Sequence, residues 1–210
     1  MTTKQLSSLF VFHLLFATTE ANANARWYVV NDSVMGGISN SQVLYENDNL
    51  VFTGNVSLAN NGGFASIRTL LDVQSQDITK IMLRVKGDGQ TYQLRLRTNE
   101  YMDGAAYTRS FSTTKSEWLN IEFLPEDFQL TYRGRLLEQQ PTINFKDIKQ
   151  LGFMIAGKQA GEFRLEVEKI EFKKLSVFLC VCTQILTIGC GKMDSSQQED
   201  NSSQMQVSNK

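Results

Sequence analysis

The chain has 210 residues, 41% of them apolar, which is enough for one domain with a real core and some length left over at the ends. A formal net charge of −1 and an isoelectric point near 5.9 give none of the basic excess that a phosphate-backbone surface requires, so no nucleic acid partner is expected. The single histidine, His13, lies in an apolar run and the three cysteines, Cys180, Cys182 and Cys190, follow the last strand-like segment, which leaves the domain without a His triad or a His/Cys metal cluster.

At the N-terminus, Lys4 precedes the apolar residues 9–17, and Ala21-Asn22-Ala23 and Ala23-Asn24-Ala25 follow as small-x-small cleavage sites. That order is the pattern of a secretory signal, so residues 1–25 are expected to be a signal peptide and the protein exported or periplasmic. The alternative is that the run is the first strand region of the domain, in a cytoplasmic or inner-membrane-associated protein.

Residues 26–173 read as the domain. Its dominant period is two, as a half-buried strand requires, because successive side chains point to opposite faces. Ile81, Leu83 and Val85 alternate with Met82, Arg84 and Lys86, and Tyr92, Leu94 and Leu96 alternate with Gln93, Arg95 and Arg97. The linking Gly87-Asp88-Gly89-Gln90 predicts a hairpin between these two runs, with Arg84, Arg95 and Arg97 on one side of it. No helix follows, so this Gly-x-Gly is no dinucleotide fingerprint. Leu119, Ile121 and Phe123 form another alternating run, residues 151–156 a central strand or a short buried helical turn, and Phe163, Leu165 and Val167 a last strand whose phase shifts to Ile170 and Phe172, as a β-bulge causes. Many short strands with Gly, Asn and Asp between them predict an all-β sandwich or barrel.

Beyond the domain, residues 174–190 are an apolar, cysteine-containing segment. They are similar to a lipoprotein leader with a poor Thr187, slightly short for a membrane span against roughly 20 residues, and otherwise readable as a read-through tail, so membrane association stays open. Residues 191–210, dominated by Ser, Gln and Asn, are expected to be disordered.

Two motifs go further than periodicity. Residues 27–37 read WYVVNDSVMGG and residues 60–69 read NNGGFASIRT; Gly87-Asp88-Gly89 with Tyr92, then Trp118, then FQLTYRGR over 128–135, then Gly161-Glu162-Phe163 follow in order. Together these resemble the complex I intermediate-associated protein 30 family over about residues 27–172. The resemblance implies a jelly-roll β-sandwich of galactose-binding-domain-like type. It also implies a non-enzymatic module without cofactors that recognises a protein partner in a chaperone-like way, such as a respiratory-complex assembly intermediate. The alternative is an exported carbohydrate or envelope-ligand binder with Trp and Tyr platforms on its loops.

The candidate ligand- or partner-binding residues are Asn31, Asp32, Gly36, Gly37, Asn61 and Gly63 in the two motifs, and the arginines Arg68, Arg84, Arg95, Arg97, Arg133 and Arg135. Turn chemistry accounts for the first group, with Met35 tucked into the core and a hairpin turn at residues 60–63. Arginine forks suit carboxylates or phosphates, whereas cross-strand neutralisation by Glu122, Glu166 and Glu168 would make the arginines an ordinary outward face. Asn31-Asp32 or Asn47-Asp48-Asn49 offer oxygen ligands but no EF-hand spacing, so no metal is assigned. Asp32, Asp72, Glu100, Asp103 and Glu122 form no pair with diagnostic spacing for glycoside hydrolysis, and no nucleophile elbow or P-loop is present, so no catalytic residues are assigned.

Overall fold

The computed structural model describes residues 19–20, 26–71, 77–101 and 103–174. His13, Asp72, the cysteines and everything after residue 174 lie outside the described residues, and with them the expectations for the 174–190 segment and the 191–210 tail. No helix among the described residues is long and apolar enough to cross a membrane.

The strands, in chain order, are β1 (Thr19–Glu20), β2 (Trp27–Val29), β3 (Asn40–Glu46), β4 (Asn49–Val56), β5 (Ala65–Leu70), β6 (Ile78–Lys86), β7 (Thr91–Arg97), β8 (Ala106–Ser112), β9 (Trp118–Phe123), β10 (Gln129–Tyr132), β11 (Arg135–Leu136), β12 (Gln150–Ile155) and β13 (Gly161–Lys174). They form two antiparallel sheets, a six-stranded one ordered β3-β4-β13-β6-β9 with β1 also on β13, and a seven-stranded one ordered β11-β10-β8-β7-β12-β5-β2. The all-β sandwich expected from the alternation is therefore present, with β12 central between β7 and β5.

Each alternating run turns its apolar set inward. Phe52, Leu83, Val85, Phe163 and Leu165 from one sheet meet Ile67, Leu94, Leu96, Leu151 and Phe153 from the other, all buried. A relay of aromatic rings crosses the interface: Phe52–Phe163 at 4.7 Å, Phe163–Tyr92 at 6.5 Å, Tyr92–Phe111 at 6.1 Å, Phe111–Phe123 at 6.0 Å. Such pairs add about 0.5–1.5 kcal/mol each beyond their burial. The expected bulge sits in β13 as a register shift between Val167 and Lys169, and it lets Phe163, Leu165, Val167, Ile170 and Phe172 all face the core.

Two expected hairpins are absent. β6 and β7 lie in different sheets, so residues 87–90 form an arch across the sandwich and Arg84 is on the opposite sheet from Arg95 and Arg97. Alternation specifies which side chains face inward, but an inward face looks the same whichever strand is its neighbour. What holds the arch is local: Asp88 accepts hydrogen bonds from the Tyr92 hydroxyl at 3.0 Å, the Arg164 amide at 2.8 Å and the Gln90 amide at 3.1 Å. The Asn60–Gly63 turn is likewise a crossing, joining β4 of one sheet to β5 of the other through a 3-10 turn at Ala59–Asn61.

Removing the Asp88 carboxylate leaves the Tyr92 hydroxyl and the Arg164 amide without their acceptor. D88A is expected to cost about 2 kcal/mol of stability, read as a lower urea midpoint with an unchanged slope.

Candidate functional site

The two sequence motifs meet on one buried carboxylate. Asp32, 1% exposed, starts the 3-10 turn Asp32–Met35 that follows β2. It accepts the Ser39 amide at 2.9 Å, the Ser39 hydroxyl, the Gly63 amide at 2.7 Å and the Phe64 amide at 3.3 Å. Asn31, its buried neighbour, accepts the Ser41 hydroxyl at 2.7 Å. The 31–39 loop and the 60–64 loop are thus tied at one point, and through them β2, β3, β4 and β5.

The glycines follow from this clasp. A Cβ at Gly37 would lie 2.4 Å from the Asp32 carboxyl and one at Gly62 2.5 Å from it, so neither position admits a side chain. Gly36 closes the 3-10 turn at φ 91°, a left-handed conformation, and its amide donates to the Ser33 carbonyl at 3.1 Å. Asn61, also left-handed at φ 57°, ends the second turn. With its oxygens taken by donors, Asp32 is a structural anchor.

What the clasp presents is apolar. Val34, Met35 and Ile38 are 70%, 69% and 60% exposed, and Leu58 stands exposed on the neighbouring loop, 3.2 Å from where a Gly63 Cβ would be. The expectation of Met35 tucked into the core is therefore wrong. The four-residue 3-10 turn buries Asp32 and leaves Met35 facing outward. Large apolar side chains held in water on a fixed turn are what a docking surface offers.

Burial works against the charged form of Asp32, and the hydrogen bonds from the Ser39 hydroxyl and the Gly63, Ser39 and Phe64 amides outweigh it, holding the carboxyl below its ordinary range.

The arginines separate into two sets. Arg84 lies on the outer face of the six-stranded sheet, where it pairs with Glu168, bonds Asn120 at 3.3 Å and covers Trp118 at 5.3 Å. Lys80–Glu122 at 2.8 Å, Lys86–Glu166 at 2.9 Å, Arg164–Glu166 at 3.2 Å and Arg164–Glu46 at 2.6 Å complete a charge-paired face, as the cross-strand reading expected. Arg68, Arg95 and Arg97 instead sit together on the outer face of the seven-stranded sheet, Arg68 and Arg95 on either side of Gly152 and Arg97 beside Gln150. Arg133 pairs with Asp103 at 3.1 Å, and Arg135 is exposed in the β10–β11 hairpin. Trp27 stacks on the core residue Phe153 at 5.9 Å and Trp118 is covered by Arg84 and Lys86, so neither tryptophan is an open platform. An open polar groove of about 670 Å³ runs past Asn40, Asn55, Gln90 and Glu162.

Sequence reasoning missed Val34, Ile38 and Ser39. Ser39, whose amide and hydroxyl both bond Asp32, has no signature beyond being a small polar residue after two glycines.

D32N keeps the shape but cannot accept every donor. It is expected to cost about 3 kcal/mol at neutral pH. Because the folded-state pKa of Asp32 is lowered, its contribution is complete above the unfolded value near 4 and is lost as pH falls through the folded value. Urea titrations of both proteins should therefore converge in acid.

Comparison with known proteins follows the same lines. The family model for complex I intermediate-associated protein 30 matches residues 15–167. The "Probable complex I intermediate-associated protein 30, mitochondrial" of Caenorhabditis elegans is 27% identical over 99 residues, 45% of this chain and 29% of that protein. Its Caenorhabditis briggsae counterpart is 26% identical over the same length. The match thus spans less than a third of these curated relatives. In fold, the chain is similar to the family 11 carbohydrate-binding module of Clostridium thermocellum in complex with a mixed-linked tetrasaccharide, with TM-score 0.54, 15% identity, and coverage of 77% of this chain and 98% of that one. The family 11 module of the cellulase Lic26A-Cel5E gives TM-score 0.52 at 16% identity, covering 77% and 96%. At such identities the likeness is one of fold.

The expectation of an exported or periplasmic protein is overturned: the curated relatives are described as mitochondrial, and the family match begins at residue 15, inside the apolar run. Thr19 and Glu20, ahead of both small-x-small sites, pair with Phe172 and Glu171 of β13. With the model matching most of its length, this chain belongs to the complex I intermediate-associated protein 30 family.

Proposed function

We propose that the protein is a non-enzymatic binding module that engages a polypeptide partner during assembly of respiratory complex I, with the Asp32-clasped turn as the contact surface. The observation that carries this reading is the exposure of Val34, Met35 and Ile38 on a turn whose base is fixed by Asp32. A flexible loop loses conformational freedom when it docks; this one has been ordered by folding, so less of its binding energy is spent on ordering. Exposed apolar side chains in a fixed frame suit the brief capture of an unassembled subunit whose own apolar surface has not yet been covered. The domain on this reading includes the N-terminal residues that pair with β13, as the alternative reading of the N-terminal run had it.

The test is restoration of assembled complex I in cells lacking the protein. The triple variant V34S/M35S/I38S should keep its unfolding free energy within about 0.5 kcal/mol, because all three side chains are exposed. Its affinity for complex I intermediates should fall at least about tenfold, with a matching loss of assembled complex on native gels. Full restoration by the triple variant would overturn the contact surface. Normal complex I in cells without the protein, together with retention of the chain on a mixed-linked β-glucan, would favour a carbohydrate ligand instead.

A further inference from the structure

We infer that the outer face of the seven-stranded sheet holds a site for a small oxyanion that also carries a hydroxyl, of the hydrogen-phosphate or hydroxycarboxylate class, bound by Arg68, Arg95, Arg97 and Gln150. The site lies on the opposite face of the strands from the core and does not depend on the proposed partner function.

Strand register builds it. Arg68 of β5, Gly152 of β12 and Arg95 of β7 stand in one row across adjacent strands, and the next row on the same face places Gln150 beside Arg97. Gly152 lets the strands approach closely between the first two arginines, since a Cβ there would lie 2.5 Å from the Ile67 carbonyl and 3.1 Å from the Arg68 Cβ. The segment after β7 folds over this face, since Gln150 Nε2 donates to the Asn99 and Tyr101 carbonyls, both at 2.9 Å. Its two donor bonds fix the amide's orientation, so Oε1 is the free end.

The result is a buried cluster of like charge. Arg68 and Arg97 are both 8% exposed, and Arg95 lies against Met154 Sδ. Burial, reinforced by Arg95 and Arg68, pulls Arg97 down to about 10, and Asp103, which also pairs with the exposed Arg133, only partly opposes this. The Nε donors of Arg95 and Arg97 and the Oε1 acceptor of Gln150 are buried without hydrogen-bond partners among the described residues. Burying the Nε of Arg95 or Arg97 without an acceptor is costly, and natural proteins leave few such groups. A water would satisfy a donor but not the charge. An oxyanion accepts from the guanidinium forks and neutralises them, and a protonated oxygen or hydroxyl on the same molecule donates to Gln150 Oε1. A plain halide meets the first need and not the second.

The probes are inorganic phosphate and citrate, each compared with chloride at matched ionic strength, on the full chain. Saturating phosphate or citrate is expected to raise the unfolding temperature by roughly 5 °C over chloride. Response to phosphate alone assigns a phosphate-bearing ligand, response to citrate alone a hydroxycarboxylate, and either supports the site. R97M should lose most of that rise while unfolding no earlier than the parent in chloride, since it removes a buried charge; R135M, at an exposed hairpin, should keep the rise. A further readout needs no variant: the nitrogen-15 Nε resonances of the arginines in the parent protein should shift saturably with the effective anion. No rise beyond chloride, a rise that R97M retains, or resonances that drift without saturating would overturn the inference.

Discussion

One carboxylate organises the end of this sandwich. A β-sandwich is held by its inward faces, but nothing in that burial fixes how the chain crosses from one sheet to the other. Here the crossings before β3 and before β5 are both tied to Asp32, which takes the Ser39 hydroxyl and the amides of Ser39, Gly63 and Phe64. Burying a charge is favourable only when its oxygens are met by donors, and backbone amides are donors that no substitution but proline removes. The glycines at 37 and 62 exist in the space that carboxylate needs. Polar chemistry inside thus fixes an apolar turn outside, and that pairing links the fold to the proposed contact surface.

The two outer faces of the sandwich contrast in the same terms. On the six-stranded sheet, cations alternate with glutamates and the pairs are partly exposed, worth little to stability individually. On the seven-stranded sheet, three arginines are drawn together under a covering segment, with Asp103 the carboxylate that acts on them among the described residues. Similar residues at similar strand spacing produce a paired, partly solvated surface in one place and a buried arginine cluster in the other. The difference lies in what each residue's neighbours across the strands carry.

Much of this was legible in the sequence, and each failure has a physical reason. Alternation in residues 81–85, 92–96 and 163–167 specified the inward faces, the phase shift at Ile170 specified the bulge, and the ordered motifs identified the family. Strand pairing was not legible: the Asp-Gly arch at 88–89 has hairpin chemistry, yet β6 and β7 lie in different sheets, and Asp88 bonds the Arg164 amide instead of closing a hairpin. The grouping of Arg84 with Arg95 and Arg97 failed with it. Met35 failed for a different reason, since a methionine between a capping residue and two glycines reads as a core plug unless the buried group beneath it is known to be Asp32. The export reading rested on an Ala-rich stretch that follows a short apolar run, a pattern that a first strand leading into a Trp-led second strand also produces.

The central claim is that the Asp32 clasp presents the 34–38 turn to a complex I subunit. A photo-crosslinking amino acid placed at Met35, with the same group at exposed Leu136 as the control, tests it inside cells. The account predicts a crosslink from position 35 to a complex I subunit identified by mass spectrometry, absent from position 136 and weakened in the D32N background. A crosslink from position 136 but not from 35, or an identical yield when Asp32 is replaced, would contradict it.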